Sequence, residues 1–553
     1  MNAAIYFHPD GYTVTGPKLM GRNVAGESFL RAYLEHTEAS EFFAQVSARS
    51  HGQMFEQLVR AAGRDEPVSI FGANGASKLS TAGTLYFPGP NFSDHAWKRA
   101  AYGHDSWSLC GITHTTASAQ VMDAIAEWLT APVQVWDAVI CTSAAVRDNV
   151  QRVLQAQADY LSQRLQPRQL VLPQLPVIPL GIHTQDFVFS DAQRSAARSA
   201  LGADAHTHVV LYVGRLSFHA KAHPLAMYQA LQQAAEGLPP GDSVVLVECG
   251  WHGAEFIEAA FREAALAACP AVRVVTLDGR KPEERQIAWA SADVFCSLSD
   301  NIQETFGITP IEAMAAALPV VVSDWDGYKD TVRHGVDGFR IPTLMPQAGL
   351  GMDLALRHAL GISTYDDYCG LVCALVGVDI GAAAQAFSQL FASAQLRQTL
   401  GAAGRQRARA VYDWAIIIPQ YEALWAHLAE QRQAHGKTVA PLVHPWPARM
   451  DPFAAFATYP TTSLTQETPL ALSSPDALQR FEHLRGLAMV SYAQEIMPEA
   501  AECQALIAQL TQGPVAAGAL LHDVTPARQA IVFRALAWLV KLGVLCVSRN
   551  ELP

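Results

Sequence analysis

The feature that most constrains this chain is the alternation of short apolar runs with longer amphipathic segments along most of its length. Apolar runs of about four to eight residues predict buried strands, and their alternation with helices predicts strand–helix units around a parallel sheet. The first series of runs is 3–8, 68–72, 83–87, 109–113 and 138–142, and the second is 208–217, 243–250, 272–279, 293–299 and 319–324. The fold class is therefore α/β, with two parallel-sheet halves that face a cleft.

The length of 553 residues predicts three or four domains at roughly 150 residues each. Towards the end of the chain, a Thr-Pro helix start, the helix stop at Gly543 and the run VLCVS predict a small, mainly helical, winged-helix-like extension. We expect one α/β half at 1–184, a second at 185–412, a helix crossing back to the first half at 413–431, a Pro-, Thr- and Ser-rich linker or wrap at 432–474, and the small domain at 475–553.

Composition excludes several classes of protein. Half of the residues are hydrophobic and 16% are charged, which excludes a mainly disordered chain. The 39 Lys and Arg stand against 51 Asp and Glu, for a net charge of -12, so no long nucleic acid is expected as a partner.

The nine scattered cysteines are expected to be reduced core thiols, because the one close pair, Cys369 and Cys373, has no second pair to complete a zinc site. No signal peptide is expected in MNAAIYFHPDGY, and no apolar stretch of about 18 residues occurs. We expect a cytoplasmic location, with peripheral attachment at the inner face of a membrane left open.

The segment at residues 300–327, DNIQETFGITPIEAMAAALPVVVSDWDG, is the most informative for chemistry. It predicts a helix with Thr309 as N-cap, Pro310 at the first position and Glu312 at the third. Unpaired amides at such a helix start bind anions, and Gly307 would let a phosphate approach the backbone closely. A diphosphate is a good candidate ligand. The alternative for Glu312 is an ordinary capping box that stabilises its own helix.

The same segment resembles a known family. Glu304 and Glu312 are separated by seven residues, with FG between them and EAMA and a PVVV run after them. This pattern is similar to the E-x7-E element of retaining, nucleotide-sugar-dependent glycosyltransferases of the group 1 type, family 4. That family has the GT-B fold, in which two Rossmann-like domains face a cleft. The resemblance implies that 1–184 binds the acceptor and that 185–412 binds the donor.

Further motifs resemble the family in the same order and together cover residues 1–430. VGRLSFHAKAHP is similar to the GRL-x3-K motif, with one residue more between Arg215 and Lys221. VIPLGI resembles the turn at the crossing between the domains. Gly21 and Arg22 lie where the family has a Gly-rich loop near the donor phosphates, and His114 lies where similar enzymes have a His near the donor sugar.

The resemblance implies a role for each residue. The donor diphosphate would be held by two cations and by the backbone at a helix start, namely Arg215, Lys221, Phe306, Gly307, Ile308 and Thr309. The catalytic residues would be Glu304 and His114, which contact the donor sugar from opposite domains, while Glu312 contacts the nucleotide ribose. No metal or other cofactor is implied, and the one DxD spelling, Asp324-Trp325-Asp326, lies where the family binds none.

The implied activity is that of a retaining hexosyltransferase, with front-face attack in which the leaving phosphate oxygen takes the acceptor's proton. The donor would be a UDP, GDP or ADP sugar. The acceptor stays open among carbohydrates, lipid-linked molecules, proteins and small molecules.

Alternatives remain at the level of sequence. The main one is a non-catalytic, nucleotide-sugar-binding regulatory protein that acts through its C-terminal winged-helix-like module, by binding DNA or by docking a protein. Scattered cations among many acids argue against DNA, and the same module could instead form a homo-oligomer. A phosphorylase and an epimerase of the same fold are further alternatives. Against the phosphorylase, no lysine has a sequence setting that indicates a Schiff base with pyridoxal.

Overall fold

The computed structural model describes residues 2–13 and 21–548. The chain forms two compact units, Met1–Trp446 and Pro447–Pro553, called here the main unit and the C-terminal unit.

The first half of the main unit is built on a parallel six-stranded sheet with strand order β3-β2-β1-β4-β5-β6. Its strands are β1 Ala4–Phe7, β2 Phe42–Val46, β3 Val68–Phe71, β4 Thr84–Tyr86, β5 Ser108–Ile112 and β6 Ala138–Ile140. The helices are α1 Pro9–Tyr12, α2 Gly21–His36, α3 Arg49–Ala61, α4 Leu79–Ala82, α5 Ser93–Ala100, α6 Ala119–Glu127 and α7 Ala144–Leu165. Most strand residues are buried, because helices cover both faces of the sheet.

The second half repeats this plan with the order β12-β11-β10-β7-β8-β9, again all parallel. Its strands are β7 Thr207–Val213, β8 Ser243–Gly250, β9 Val272–Asp278, β10 Val294–Ser297, β11 Val320–Ser323 and β12 Gly338–Ile341. The helices up to β12 are α8 Asp191–Ala200, α9 Leu225–Glu236, α10 Glu255–Ala268, α11 Pro282–Ser291, α12 Ile308–Ala315 and α13 Tyr328–Thr331. The predicted pair of parallel-sheet halves is confirmed.

A segment at residues 343–378 follows β12 and carries much exposed apolar surface. It contains β13 Thr343–Leu344, α14 Met352–Ala359, α15 Tyr365–Cys373 and β14 Gly377–Val378, and β13 pairs with β14 in a two-stranded antiparallel sheet. Its exposed large apolar side chains are Leu344, Met345, Leu350, Met352, Leu356, Leu360, Ile362, Leu371 and Leu375.

The chain passes between the two halves twice, and the two crossings are hydrogen-bonded to each other. The amide of Ile182 donates to the carbonyl of Tyr412 at 2.8 Å, and the amide of Trp414 donates to the carbonyl of Ile182 at 3.1 Å. Gly181 allows this approach, since a Cβ there would lie 2.4 Å from the Trp414 ring. The second crossing is reached through α16 Ile380–Ala392 and α17 Ala394–Arg407 and leads into α18 Trp414–His435.

Helix α18 returns to the first half and packs there through aromatic side chains. Phe29 of α2 contacts Trp414 and Tyr421, whose ring centroids lie 6.0 and 5.2 Å away. At the far end of the helix, Arg432 donates to the carbonyl of Gly83 at 2.6 Å. The helix therefore extends four residues beyond the predicted end at 431, and Arg432, the first of these residues, still contacts the first half.

The C-terminal unit combines helices with a small antiparallel sheet of order β16-β15-β17. Its elements are α19 Pro452–Ala455, β15 Pro469–Leu472, α20 Ala477–Leu484, α21 Ala488–Ser491, α22 Ala500–Gln509, β16 Val515–Ala516, α23 Pro526–Lys541 and β17 Leu545–Val547. Leu470, Phe481, Leu506 and Leu536 lie in its core. Strand β15 falls inside the region predicted as a linker, and its pairing with β17 brings that strand into this unit.

All nine cysteines are free thiols, of which eight are buried and Cys546 is half-buried. Within the described part of the chain, no helix has the length and apolar character needed to cross a membrane.

Candidate functional site

The two loops that carry the predicted donor-site residues leave the sheet of the second half side by side. The Lys221 loop (residues 214–224) follows β7, and the Glu304 loop (residues 298–307) follows β10. Strands β7 and β10 are neighbours, and the strand order runs in opposite directions away from them. Ligands of open parallel sheets bind at the carboxyl ends of strands at such a reversal.

Glu304 and Lys221 form an ion pair at this edge of the sheet. The Lys221 ammonium donates to Glu304 Oε2 at 2.5 Å, and the amide of Thr305 donates to Oε1 at 3.2 Å. The side chain of Glu304 is 8% exposed and that of Lys221 is 29% exposed. Burial by itself would raise the pKa of Glu304, but the ammonium and the backbone amides outweigh burial and hold that pKa below its ordinary value. Glu304 is therefore an anion at neutral pH.

Two buried polar residues hold the loops together. Asp300 accepts from the amide of His223 at 3.1 Å, and the Asn301 amide group donates to the carbonyl of His219 at 3.0 Å. The thiol of Cys373, in α15, lies 3.1 Å from the Asp300 carboxylate. Burial raises the pKa of Asp300 to about 6. The position of Lys221 thus depends on the Glu304 loop as well as on its own.

Arg215 lies in the same loop as Lys221, and its guanidinium donates to the carbonyl of Ala220 at 2.7 Å. The charge of Arg215 opposes the rise that burial causes in the pKa of the Cys369 thiol. Helix α15, which contains Cys369, therefore lies near the guanidinium. The residue is half-buried, so part of the guanidinium remains accessible.

Helix α12 begins earlier than the sequence predicts. The N-cap is Gly307, with φ of 80°, and the helix runs from Ile308, so that Thr309 and Pro310 lie within its first turn. The prediction of Thr309 as N-cap was wrong because Gly307 adopts a left-handed conformation and starts the helix two residues sooner. A side chain at 307 would also lie 1.9 Å from the Tyr328 ring.

Glu312 does not form the capping box considered above, because the N-cap has no side chain and makes no side-chain capping bond. Burial raises the pKa of Glu312 to about 7, and the nearby Arg285 opposes this rise. Phe306, which precedes the N-cap, is buried.

His114 lies on a loop of the first half that reaches the second half. The next residue, Thr115, has its hydroxyl 3.2 Å from the Tyr365 hydroxyl in α15. Tyr365 in turn is hydrogen-bonded to Gln303, the neighbour of Glu304. The two predicted catalytic residues thus belong to segments joined through a single tyrosine.

Gly21 and Arg22 do not lie in a loop as predicted. Gly21 is the first residue of α2 and Arg22 the second, so the helix starts before the predicted run SFLRAYLEHT. The Arg22 side chain and residues 14–20 lie outside the described residues.

The structure adds two residues to the site: Ser143, which the sequence analysis missed, and Asp326, which it named only as part of a DxD spelling. The Ser143 hydroxyl, at the N-terminus of α7, lies 2.8 Å from the carbonyl of Thr305 and 3.1 Å from Asp326 Oδ1. Burial, with the charge of Glu304 as the next cause, raises the pKa of Asp326 to about 7. A protonated Asp326 can donate to Ser143 while Ser143 donates to Thr305. Asp326 has a positive φ of 40°, which is unusual for a residue other than glycine. This backbone conformation is not visible in the sequence.

Part of the chain that contains these loops is similar to known proteins. Residues 193–348 match the family model of glycosyl transferases group 1. A D-inositol 3-phosphate glycosyltransferase from Corynebacterium efficiens is 30% identical over 152 residues, which is 28% of this chain and 35% of that protein. One of the same name from Mycobacterium sp. (strain KMS) is 35% identical over 152 residues, 27% of this chain and 32% of that protein. The matched region thus spans about a third of these curated relatives.

Among solved structures, a glycosyltransferase from Rickettsia africae has a TM-score of 0.51 and 11% sequence identity, and the match covers 77% of this chain and 98% of that chain. At this identity the likeness concerns the fold. The main unit therefore has the GT-B fold, and the part of it at residues 193–348 matches the group 1 glycosyl transferases.

Proposed function

We propose that this chain is a glycosyltransferase that transfers a hexose from a nucleotide diphosphate sugar to an acceptor, with retention at the anomeric carbon, as in family 4. The observation that carries the proposal is the ion pair between the buried Glu304 and the half-buried Lys221 at the reversal of strand order, within the residues that match the group 1 model. Burying Glu304 at a sheet edge costs desolvation free energy, and a role in ligand binding accounts for that cost.

The donor diphosphate would lie between the Lys221 loop and the start of α12. An ammonium has three N–H groups, so Lys221 can hold Glu304 and a phosphate oxygen at the same time. Arg215 adds a second cation, and the backbone at Phe306, Gly307, Ile308 and Thr309 adds the positive end of a helix. These groups would supply the charge stabilisation that a metal supplies elsewhere, so the proposed reaction uses no metal.

In the proposed reaction, the bond between the anomeric carbon and the phosphate oxygen breaks, and the acceptor oxygen forms the new bond on the same face. The acceptor's proton passes to the leaving phosphate oxygen, so the products are the glycoside and a nucleoside diphosphate. Glu304 and His114 would orient the donor sugar, and the Glu304 carboxylate would stabilise the oxocarbenium character of the transition state. Glu312 would bind the ribose.

The acceptor is the least constrained part of the proposal. The two relatives compared above are named for D-inositol 3-phosphate, but the match to them covers less than a third of this chain. Both are glycosyltransferases by name, so D-inositol 3-phosphate is one acceptor to test.

The test measures thermal stabilisation of the full-length chain by UDP, GDP and ADP sugars, together with release of nucleoside diphosphate with and without acceptor. One donor is expected to stabilise the wild type and to be turned over. Glu304→Ala is expected to lower kcat by about 10²–10³, because it removes a charge that acts on the transition state. Glu312→Ala is expected to act mainly on donor affinity.

Glu258→Gln, which changes an exposed carboxylate of α10, is the matched control and should behave as wild type. Turnover by Glu304→Ala near the wild-type rate would contradict the assigned role. Tight donor binding by the wild type, with no turnover for any acceptor or water, would favour the non-catalytic alternative.

A further inference from the structure

A group of potential metal ligands lies away from the donor site, where the first crossing meets the end of α2. It consists of Glu35 and His36 at the end of that helix and His183 directly after the crossing. Their nearest ligand atoms all lie within 4.8 Å of one another. Glu35 Oε2 is 3.7 Å from His183 Nδ1 and 3.9 Å from His36 Nε2.

His183 is oriented so that one ring nitrogen faces this group. The residue is 5% exposed, and its Nε2 lies 3.3 Å from the carbonyl of Ser28. A carbonyl accepts only, so Nε2 carries the proton and Nδ1 keeps its lone pair. Nδ1 is fully buried and has no hydrogen-bond partner. A bare lone pair that faces a carboxylate across 3.7 Å is a mutually repulsive arrangement, which a cation between the two atoms would relieve.

The charged groups around His183 favour a bound cation. One of these groups, Arg31, is positive. Arg31 is itself paired with Asp186 at 3.0 Å, and Glu27 and Glu35 add further carboxyl groups nearby. The fixed charges around the lone pair are thus predominantly negative.

We propose that Glu35, His36 and His183 form a binding site for a divalent transition metal of the zinc type. Two imidazoles with one carboxylate are a donor set that zinc accepts, with a fourth position left to water. Zn–N and Zn–O bonds of about 2.0–2.2 Å give ligand separations of about 3.3–3.5 Å. The two separations from Glu35, 3.7 and 3.9 Å, are slightly larger. The side chains of Glu35 and His36 are partly exposed, so rotation can close them onto an ion. The Ser28 carbonyl supplies the outer contact that fixes the His183 tautomer.

The site would join α2 to the crossing between the halves. Arg31 and Asp186 already join the same two elements one helical turn away. A metal at this position would therefore restrain the segment that follows Gly181 and stabilise the main unit by mass action.

The test uses the full-length chain freed of metal with EDTA and titrated with ZnCl₂, with the stoichiometry followed by calorimetry and the Tm followed at each step. One equivalent is expected to bind and to raise Tm. Glu35→Gln and His36→Gln are suited to the test because both side chains are partly exposed, so the fold tolerates the change. Loss of a group that only hydrogen-bonds to a metal ligand lowers metal affinity by roughly 10–100-fold. Each of these two variants loses a direct ligand, so each is expected to weaken Zn²⁺ binding by more than that.

His522→Gln is the matched control, since His522 is an exposed histidine paired with Asp523 in the C-terminal unit; it should bind Zn²⁺ as wild type does. Co²⁺ in place of Zn²⁺ is expected to give the visible absorption of a tetrahedral site, lost in His36→Gln. Absence of binding by the wild type, or equal affinity in wild type and both variants, would overturn the proposal. An equal response to CaCl₂ would also overturn it, because nitrogen ligands disfavour Ca²⁺.

Discussion

At the scale of single residues, the candidate donor site is a set of buried charges whose protonation depends on their neighbours. Glu304 remains an anion because Lys221 and backbone amides contact it. Burial, together with the nearby charge of Glu304, raises the pKa of Asp326 to about 7. The same site thus holds one ionised carboxyl group and one that is partly protonated near neutral pH.

Asp326→Asn tests this arrangement through stability. A carboxyl group whose pKa is raised by folding favours the folded state at low pH, and that contribution is lost as the pH rises through the folded value, here about 7. An amide does not titrate and can still donate to Ser143. We expect the loss of stability between pH 5 and pH 8 to shrink by about 1 kcal/mol or more in the variant, measured as the free energy of urea unfolding.

Asp523→Asn is the control for that experiment. Its carboxylate is 85% exposed, so the variant should keep the wild-type difference between the two pH values. If Asp326→Asn also keeps it, Asp326 is ionised throughout and the neutral assignment is wrong.

At the scale of elements, the two crossings and α18 connect the halves. Gly181 lies against the Trp414 ring, and Trp414 begins the helix that packs on the first half. Because the ring is fully buried, it has little room to move. The position of α18 therefore depends on the absence of a side chain at 181.

Gly181→Ala is expected to destabilise the main unit by about 1–3 kcal/mol or more, because the new Cβ would lie 2.4 Å from the Trp414 ring. The measurement is the urea midpoint of the full-length chain. Gly237→Ala is the matched control, since a Cβ there would meet its nearest atom at an ordinary 3.7 Å. Equal midpoints for the two variants would show that the crossing yields to the extra carbon.

Most of the strands could be predicted from the sequence. The two series of apolar runs gave strands close to those observed, such as 243–250 for β8 and 68–72 for β3. Strands β2 and β12 were missed. In β2 the polar Gln45 interrupts the apolar run, while β12 is a short edge strand with two half-buried positions.

The site was predicted less completely than the fold, for a physical reason. Glu304 and Lys221 lie in loops with recognisable motifs, and the structure brings them into contact. Ser143, Asp326 and Tyr365 join the site through contacts over long sequence distances, which local patterns do not contain. The N-cap at Gly307 depends on a left-handed φ, which local sequence patterns do not show. The Thr-Pro pattern after it instead predicts an N-cap at Thr309.

At the scale of the whole molecule, the main unit and the C-terminal unit each have a core of their own. Leu231 lies in a core cluster of the main unit, and Leu536 lies in the core cluster of the C-terminal unit. Both side chains are fully buried. Separate cores allow the two units to unfold as separate cooperative transitions.

Leu536→Ala is expected to lower the stability of one urea transition by about 2–5 kcal/mol and to leave the other unchanged, because the cavity forms in the core of the C-terminal unit. Circular dichroism follows both transitions. Leu231→Ala should have the reverse effect, with the main unit destabilised. A single transition shifted equally by both variants would show that the units unfold together.

The burial of the cysteines has a practical consequence for studying this chain. Burial raises the pKa of Cys110 to about 12 and that of Cys369 to about 11, so few native thiols are both accessible and ionised at neutral pH. A cysteine introduced at an exposed position of α14 would then be alkylated ahead of the native ones. A fluorophore attached there would report whether the 343–378 segment moves when a nucleotide sugar is added, without a cysteine-free background having to be built first.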